Sequence, residues 1–137
     1  MIYKIIFYLR NRIKVDNGNE IINYWKNKVR NSKMTLRGNN HKIVVGKNCM
    51  FSRNIKLMAS DGHKIYCDNK LLKTDGNIEI GDNIWIADNV TILKNIKIKN
   101  GSIIGINSLV TKSIEKENVL IVGNPAKIVK ENIKWEK

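Results

Sequence analysis

Aliphatic side chains recur at every sixth position through the second half of the chain. The main series is Ile80, Ile86, Ile92, Ile98, Ile104 and Val110, and a second series stands two places earlier at Ile78, Ile84, Val90, Ile96, Ser102 and Ser108. Helices and strands have periods of about 3.6 and 2.0 residues, so neither alone explains this pattern. A period of six is typical of a three-sided solenoid, in which each group of six residues forms one side. Residues eighteen apart then stack at about 4.8 Å, the spacing of paired strands.

The same pattern extends toward the N-terminus. The main series continues back through Leu57, Phe51 and Val45, and the second series through Ile55, Cys49 and Ile43. Met34 and Leu36 are the expected start of the first coil. Three residues after the main series, asparagine recurs at Asn48, Asn54, Asn83, Asn89, Asn95 and Asn107. Asparagine tolerates left-handed backbone better than other non-glycine residues, so these positions are the predicted corners. We therefore predict an all-β fold, a parallel β-helix of hexapeptide repeats.

One interval breaks the period. The spacing from Leu57 to Ile80, both in the main series, is not a multiple of six. We expect one repeat to be replaced by a loop excursion within residues 59–77, which contain His63, one of only two histidines. Loops that leave a regular scaffold often carry function, so this segment is the first place to look for chemistry.

The two ends of the chain are predicted to be helical caps. Residues 1–15 are apolar and basic and suggest an amphipathic helix, which either caps the solenoid or packs on a partner subunit, or rests on a membrane surface. They are too short to span a bilayer and lack a signal-peptide cleavage pattern. After Gly123, Asn124 and Pro125, residues 126–135 suggest a short C-terminal helix. The expected organisation is a helical cap at 1–32, a β-helix domain at 33–122 and a helix cap at 123–137.

The net charge and the cysteines indicate which partners and which cell compartment suit this chain. The chain has 137 residues and a formal net charge of +13, which suits anionic partners such as acidic glycans or a phosphorylated cofactor. A general richness in lysine, asparagine and isoleucine is the competing explanation for that charge. Cys49 and Cys67 have no metal-ligand or redox spacing, which indicates a reduced, cytoplasmic setting.

Few side chains are candidates for chemistry. His63 is the leading one, and Asp61 either orients its ring or simply shapes the Asp-Gly turn. Trp85 follows His63 by little more than the length of one coil and is expected about one layer above it, at a ligand-facing position or a subunit interface. His41 is expected only to pack or to form a hydrogen bond. Only two histidines occur, and the cysteines add no paired spacing, which disfavours metal catalysis, so we expect no metal. The lysines are scattered over corners, which argues against nucleic-acid binding.

Four segments resemble the bacterial hexapeptide acyltransferases. Residues 80–93 (IGDNIWIADNVTIL), 101–112 (GSIIGINSLVTK) and 122–127 (VGNPAK) are similar to that family's repeat and C-terminal signature. Residues 60–66 (SDGHKIY) are similar to the subgroup that O-acetylates surface polysaccharides, including polysialic acid O-acetyltransferases. The resemblance implies a left-handed coil, although parallel crossovers are usually right-handed.

The resemblance also implies residue roles. His63 is the implied general base, and Trp85 takes part at the active site. The implied co-substrate is acetyl-CoA, bound between two subunits of a homotrimer. Its groove would include Trp85 and the backbone near Ala87, Gly105 and Thr111, with Lys112 and Lys127 near the phosphates.

The predicted function is acetyl-CoA-dependent O-acetylation of a sugar hydroxyl in a bacterial surface polysaccharide. Two alternatives remain open: an amino-sugar N-acetyltransferase on the same scaffold, and a catalytically silent hexapeptide scaffold that acts in binding or assembly. Peripheral membrane contact through residues 1–15 is a further expectation.

Overall fold

A computed structural model describes residues 2–4, 11–14, 16–23, 27–30 and 32–137, and these residues form short strands with no α-helix. In chain order the strands are β1 (Ile2–Lys4), β2 (Asn11–Lys14), β3 (Glu20–Asn23), β4 (Lys28–Val29), β5 (Ser32–Thr35), β6 (Lys42–Val45), β7 (Met50–Phe51), β8 (Ile55–Met58), β9 (Tyr66–Cys67), β10 (Lys70–Leu71), β11 (Ile78–Ile80), β12 (Trp85–Ile86), β13 (Thr91–Leu93), β14 (Ile96–Ile98), β15 (Ile103–Ile104), β16 (Leu109–Val110), β17 (Leu120–Gly123) and β18 (Ala126–Lys130). Asp16–Gly18 form a short 3-10 turn. The described residues contain no helix long and apolar enough to cross a membrane.

Three parallel sheets form the three sides of the predicted β-helix. Face A contains β5, β8, β13 and β16, with β1 antiparallel at its edge. Face B contains β3, β6, β11 and β14, with β2 antiparallel at its edge. Face C contains β4, β7, β12, β15 and β17, with β18 antiparallel at its edge. The chain passes from A to B to C in each coil, through corners that we call AB, BC and CA. The expected fold class is confirmed, and the coil is left-handed.

The register follows the sequence period. Ile80 pairs with Ile98, and Ile86 with Ile104, each eighteen positions on. Both aliphatic series point inward, because residues two apart in a strand face the same side of the sheet. The corner that follows brings the next pair of the two series back to the inward-facing side. The two serines of the second series are buried and hydrogen-bonded: Ser102 Oγ accepts from Val119 N–H at 3.2 Å, and Ser108 Oγ donates to Gly105 O at 2.7 Å. The core is therefore aliphatic, with these buried hydroxyls satisfied.

The predicted asparagine corners are confirmed. All six have positive φ, between 56° and 60°. Their side chains stack between coils, since Asn48 Nδ2 donates to Asn83 Oδ1 at 3.1 Å and Asn54 Nδ2 donates to Asn89 Oδ1 at 2.8 Å. Asparagine thus turns the chain at these six corners, and the two bonded pairs tie one coil to the next.

The excursion is an insertion, and the expectation that it replaces a repeat is wrong. Ile43 pairs with Ile78 and Leu57 pairs with Ile92, so this coil keeps all three sides and the extra residues are added to it. They leave at the AB corner between β8 and β11 and form the β9–β10 hairpin. Asp68 and Asn69, both with positive φ, make its two-residue turn.

The N-terminal region differs from the expected helical cap over residues 1–32. Strands β3, β4 and β5 pair in parallel with β6, β7 and β8, so they form a further coil of the solenoid. In the stretch 1–15, the described residues 2–4 and 11–14 are strands rather than an amphipathic helix, and residues 1, 5–10 and 15 lie outside the described part. Both strands pair antiparallel with strands of the first coil and use backbone groups at the edge that would otherwise be open.

The expected C-terminal helix at 126–135 is also wrong. Ala126–Lys130 is the strand β18, which folds back on β17 through a turn that begins at Gly123, where φ is 113°. The last coil presents unpaired backbone groups on β17, and an antiparallel strand pairs with them while a helix would not. Residues 131–137 continue without regular structure.

Candidate functional site

His63 lies in the AB insertion, on the wall of a cavity of about 600 Å³. The cavity is lined by polar and charged side chains for the most part. Its lining residues are Asn17, Asn19, Leu36, Arg37, Gly38, Gly62, His63, Lys64, Thr74 and Asp75. His63 is exposed, and a methyl group placed on Gly62 would meet no atom within 4 Å. The imidazole therefore stands beside open space large enough for a small polar ligand.

The base of the insertion is closed by hydrogen bonds between its two ends. Asp61 N–H donates to Thr74 O at 2.8 Å, and Gly76 N–H donates to Ala59 O at 2.9 Å. The buried Ser60 hydroxyl donates to Asp75 Oδ1 at 2.5 Å and accepts from Gly62 N–H at 3.0 Å. These contacts fix the backbone immediately before His63.

Asp61 belongs to this framework. Its carboxylate forms an ion pair with Lys94 Nζ at 2.7 Å. Of the two roles considered from the sequence, the structure therefore supports a loop-shaping role, since the carboxylate is engaged by a lysine of the next coil.

Trp85 does not lie one layer above His63. It is in β12 on face C, where it pairs with Met50 and Ile103, and it does not line the cavity. The insertion takes up most of the chain that separates the two side chains, so only part of one coil is left between them. Face B and the BC corner therefore separate Trp85 from His63 within one protomer.

The Trp85 side chain packs against Trp135, a contact that sequence reasoning missed. The two ring centroids are 6.1 Å apart, and Trp135 Nε1 donates to Asn83 O at 2.8 Å. The Trp85 Nε1 atom is buried and has no hydrogen-bond partner among the described residues. Ile133 and Trp135 are the apolar residues of a tail otherwise rich in lysine and glutamate, which is the signal that could have identified this contact.

The residues expected to bind acetyl-CoA fall on two corners. Ala87 and Gly105 lie at the CA corner in successive coils. Val122 lies in the next coil of the same column, and Lys127 on β18 is its strand partner. A methyl group on Gly105 would lie 2.8 Å from Val122 Cγ2, so this column is tightly stacked. Thr111 and Lys112 are exposed at the AB corner, in a coil beyond the insertion. The structure therefore brings together Ala87, Gly105 and Lys127, and places Thr111 and Lys112 elsewhere.

The two cysteines lie in different environments, and among the described residues neither they nor the acidic side chains group into a metal site. Burial raises the pKa of the Cys49 thiol to about 12, so this thiol stays protonated at neutral pH. Cys67 is exposed on the hairpin. In the part of the chain that the structure describes, no three histidine, cysteine, aspartate or glutamate side chains are grouped so as to hold a metal ion.

Comparisons with known proteins identify relatives with this repeat. A polysialic acid O-acetyltransferase of Escherichia coli O1:K1 is 38% identical over 95 residues, covering 68% of this chain and 31% of the relative. Among solved structures, the polysialic acid O-acetyltransferase OatWY superposes with a TM-score of 0.84 and 33% identity, covering 88% of this chain and 57% of that one. A galactoside acetyltransferase in complex with coenzyme A superposes with a TM-score of 0.57 and 27% identity, covering 76% of this chain and 57% of that one.

These relatives are longer than the chain described above. The chain spans about a third of the length of the Escherichia coli relative and somewhat more than half of the two solved structures. No protein-family model matches the sequence. The homologues and structural neighbours are nevertheless hexapeptide-repeat acetyltransferases, which agrees with the expected family.

Proposed function

We propose that this chain, a member of the hexapeptide-repeat acetyltransferase family, transfers the acetyl group of acetyl-CoA to a hydroxyl of a sugar in a bacterial surface polysaccharide. The observation that carries the proposal is the position of His63, held on a fixed loop beside a polar cavity. The similarity to polysialic acid O-acetyltransferases supports the choice of a glycan acceptor. The galactoside acetyltransferase in complex with coenzyme A supports the choice of co-substrate.

The lining of the cavity favours a sugar over an apolar acceptor. Leu36 is the one large aliphatic side chain among its lining residues, whereas Asn17, Thr74 and Asp75 offer hydrogen-bonding groups. A volume of about 600 Å³ falls within the range of small-ligand sites. A hydroxyl-bearing ring can therefore make polar contacts there, with one hydroxyl directed at the imidazole.

In the proposed reaction His63 acts as general base. Its neutral imidazole takes the proton of the acceptor hydroxyl while the oxygen attacks the thioester carbonyl carbon. A C–O bond forms and the C–S bond breaks, and the imidazolium returns the proton to the sulfur of coenzyme A. The transfer needs no covalent enzyme intermediate. The oxyanion that forms during the attack requires a fixed donor. A backbone N–H is one candidate, and the Nε1–H of Trp85 is the other if the indole becomes accessible, since it is buried in this structure.

His63 and Trp85 are separated within one protomer, so we assign them to one active site formed by two copies of the chain. Face C carries an outward column of apolar side chains in four adjacent coils, formed by Met50, Trp85, Ile103 and Leu120. The AB insertion carries exposed apolar side chains of its own, at Ile65, Tyr66, Leu71 and Leu72. An insertion that packs on face C of the next copy makes a head-to-tail contact, and such contacts form a ring when the rotation between copies closes. A homotrimer is the proposed ring.

The same arrangement accounts for the two groups of expected acetyl-CoA residues. A groove between copies is lined by the CA corner of one copy, with Ala87, Gly105 and Lys127, and by the AB corner of the next, with Thr111 and Lys112. We propose that the pantetheine arm follows the tightly stacked corner and that Lys112 and Lys127 contact phosphates.

The setting follows from the co-substrate and from the N-terminal segment. Acetyl-CoA is made and used inside the cell, so the proposed activity places the protein in the cytoplasm. Contact of residues 1–15 with a membrane surface stays a proposal, and cosedimentation of the chain with anionic lipid vesicles tests it.

The test of the proposed function is transfer of labelled acetate from acetyl-CoA to a panel of activated sugars and capsule oligosaccharides. His63→Ala should lower the rate by roughly 10²–10⁴-fold, because general-base assistance is lost. His41→Ala is the matched control and should keep the wild-type rate. A His63→Ala protein that is folded and retains most of its rate would remove the assigned role.

Two further measurements separate the alternatives. Release of acetate from the product by alkali indicates an ester and therefore O-acetylation, whereas a resistant product indicates an amide and the amino-sugar alternative. Isothermal titration that finds no affinity for millimolar acetyl-CoA would favour the catalytically silent scaffold.

A further inference from the structure

The loop that carries His63 is tied by two cationic side chains to the coils on either side of it. On one side, Lys94 of the next coil forms the ion pair with Asp61, at 2.7 Å. On the other side, Arg37 of the preceding coil donates from its guanidinium to Gly62 O at 3.0 Å. These two contacts hold the two residues that immediately precede His63.

The stacking of coils fixes where these two cationic side chains lie relative to the insertion. Thr35 pairs with Met58, and Met58 pairs with Leu93, so the AB corners of three coils lie above one another. Lys94 follows Leu93 at the corner level with Ala59, where the insertion leaves the coil. The solenoid itself, and not the insertion, therefore presents the ammonium group to Asp61.

The ion pair is only partly shielded from solvent. The side chains of Lys94 and Asp61 are 23% and 29% exposed, so water and salt still reach the pair and limit its contribution to folding. Proton transfer is far more sensitive to position, since a displacement of about 1 Å can lower a rate about 100-fold. A contact of little value to stability can thus matter for catalysis when it sets the position of a catalytic side chain.

We propose that Lys94 is a positioning residue that acts through Asp61 to hold His63 at the acceptor hydroxyl, an inference that rests on the proposed function. The ion pair fixes the backbone of the 61–62 turn from the side of the next coil, while Arg37 fixes it from the other. Loss of the ammonium group frees one side of the turn. The imidazole then samples positions from which it cannot reach the hydroxyl.

The decisive comparison is Lys94→Met against Lys97→Met in the full chain. Lys97 forms a longer and more exposed ion pair with Glu79, at 3.7 Å, on the adjacent face B, so its replacement removes a lysine and its ion pair away from the loop. Lys94→Met should lower kcat about tenfold or more while KM for acetyl-CoA stays within twofold of wild type. Lys97→Met should change neither constant. Equal kcat values for the two variants would overturn the proposal.

Charge reversal tests the pair itself. Asp61→Lys and Lys94→Asp should each lower kcat, and the double variant should recover at least half of the lost rate. A double variant no better than the worse single variant would show that the two side chains do not act together. Thermal melting of Lys94→Met and of the double variant should stay close to that of wild type, because the partly exposed pair contributes little to folding.

Nuclear magnetic resonance of the labelled histidines gives a readout that does not depend on acetyl transfer. The chain has two histidines, and His41→Ala assigns their ring signals. Lys94→Met should shift or broaden the His63 signal, and Lys97→Met should not. An inactive wild-type protein would contradict the proposed function but leave this comparison in force, and an unchanged His63 signal would contradict the positioning role.

Discussion

The indole rings of Trp85 and Trp135 pack together with their planes inclined by 48° and their centroids 6.1 Å apart. Trp135 is 7% exposed and comes from the irregular C-terminal tail. The tail also forms a backbone bond from Ile133 N–H to Asn118 O at 3.0 Å, so it runs along the BC corner. The pair therefore joins the end of the chain to the middle of the solenoid.

Trp135→Ala should destabilise the protein by about 3 kcal/mol, because a buried indole, its ring contact and its hydrogen bond are all lost. The measurement is urea denaturation followed by circular dichroism. Trp135→Phe is the matched control, since it keeps a ring against Trp85 and loses only the bond to Asn83 O, at a cost of about 1 kcal/mol. Equal losses for the two variants would mean that the hydrogen bond, and not the ring contact, holds the tail.

Much of the fold could be predicted because one physical rule repeats along the chain. From Ile43 onward, most of the inward pairs are followed by a corner with positive φ, and asparagine occupies six of these corners. The first coil escaped prediction because its spacing is irregular: Ile21 pairs with Ile43, and Ser32 pairs with Ile55, and neither interval is a multiple of six. Corners with extra residues remove the sixfold period even though the strands still stack. Strands β1, β2 and β18 were not predicted because their sequences suggested amphipathic helices. In the structure they pair with the open edges of the sheets instead.

The candidate site could be predicted only in part. His63 stood out because it lies in the one interval between Ile43 and Val110 that breaks the period. Its supports did not, because Lys94 and Arg37 meet the loop through the stacking of coils and not through any local motif. Trp135 is distant in sequence from Asn83, and its contact depends on the path of a tail that has no regular structure. To predict contacts between side chains of different coils, the strand register must be known as well as the sequence.

A charge on the apolar column of face C should break up the proposed homotrimer. Ile103→Lys places an ammonium group in the middle of that column, beside Trp85. The association constant should fall on the order of 100-fold or more, because the charge is desolvated without a partner. Analytical ultracentrifugation over a concentration series measures the change.

The control for this charge is Val44→Lys. Val44 is a half-buried, outward-facing side chain at a comparable place on face B, so its replacement adds the same charge to another side of the solenoid. It should leave the oligomer intact. An Ile103→Lys protein with the wild-type oligomeric state would show that face C is not the contact between copies.

Gly46→Ala should be strongly destabilising because two coils approach each other closely at this BC corner. A methyl group on Gly46 would lie 2.4 Å from Gly81 O and 2.4 Å from Asp82 Oδ1. Backbone cannot move aside without separating the coils, so we expect a loss of about 3 kcal/mol in the free energy of unfolding. Thermal and urea denaturation provide the measurement.

Gly62→Ala separates this steric effect from backbone strain. The position has φ of 92° but nothing within 4 Å of an added methyl group. The expected loss is therefore only about 1 kcal/mol, the cost of left-handed backbone for alanine. A larger loss for Gly62→Ala than for Gly46→Ala would contradict the close stacking of the coils.

The Cys49 thiol should be inert in the folded protein and should make stability fall at high pH. Burial is the main cause that raises its pKa from 9.0 to about 12, and the nearby Asp82 charge acts in the same direction. Above pH 9 the thiol of the unfolded chain loses its proton while that of the folded chain keeps it. Ionisation therefore lowers the free energy of the unfolded state relative to the folded state. Stability due to this group is complete below pH 9 and declines by about 1 kcal/mol per pH unit until pH 12.

Two measurements check this behaviour. With a thiol reagent at pH 8, one thiol should react at once, the exposed Cys67, and the second only on unfolding. Cys67→Ser should abolish the fast reaction and leave the slow one. Urea denaturation of wild type and Cys49→Ala between pH 8 and 11 should show a steeper decline in stability for wild type. Parallel curves would show that Cys49 is ionised in the folded protein, because an ionised thiol contributes no difference between the two states.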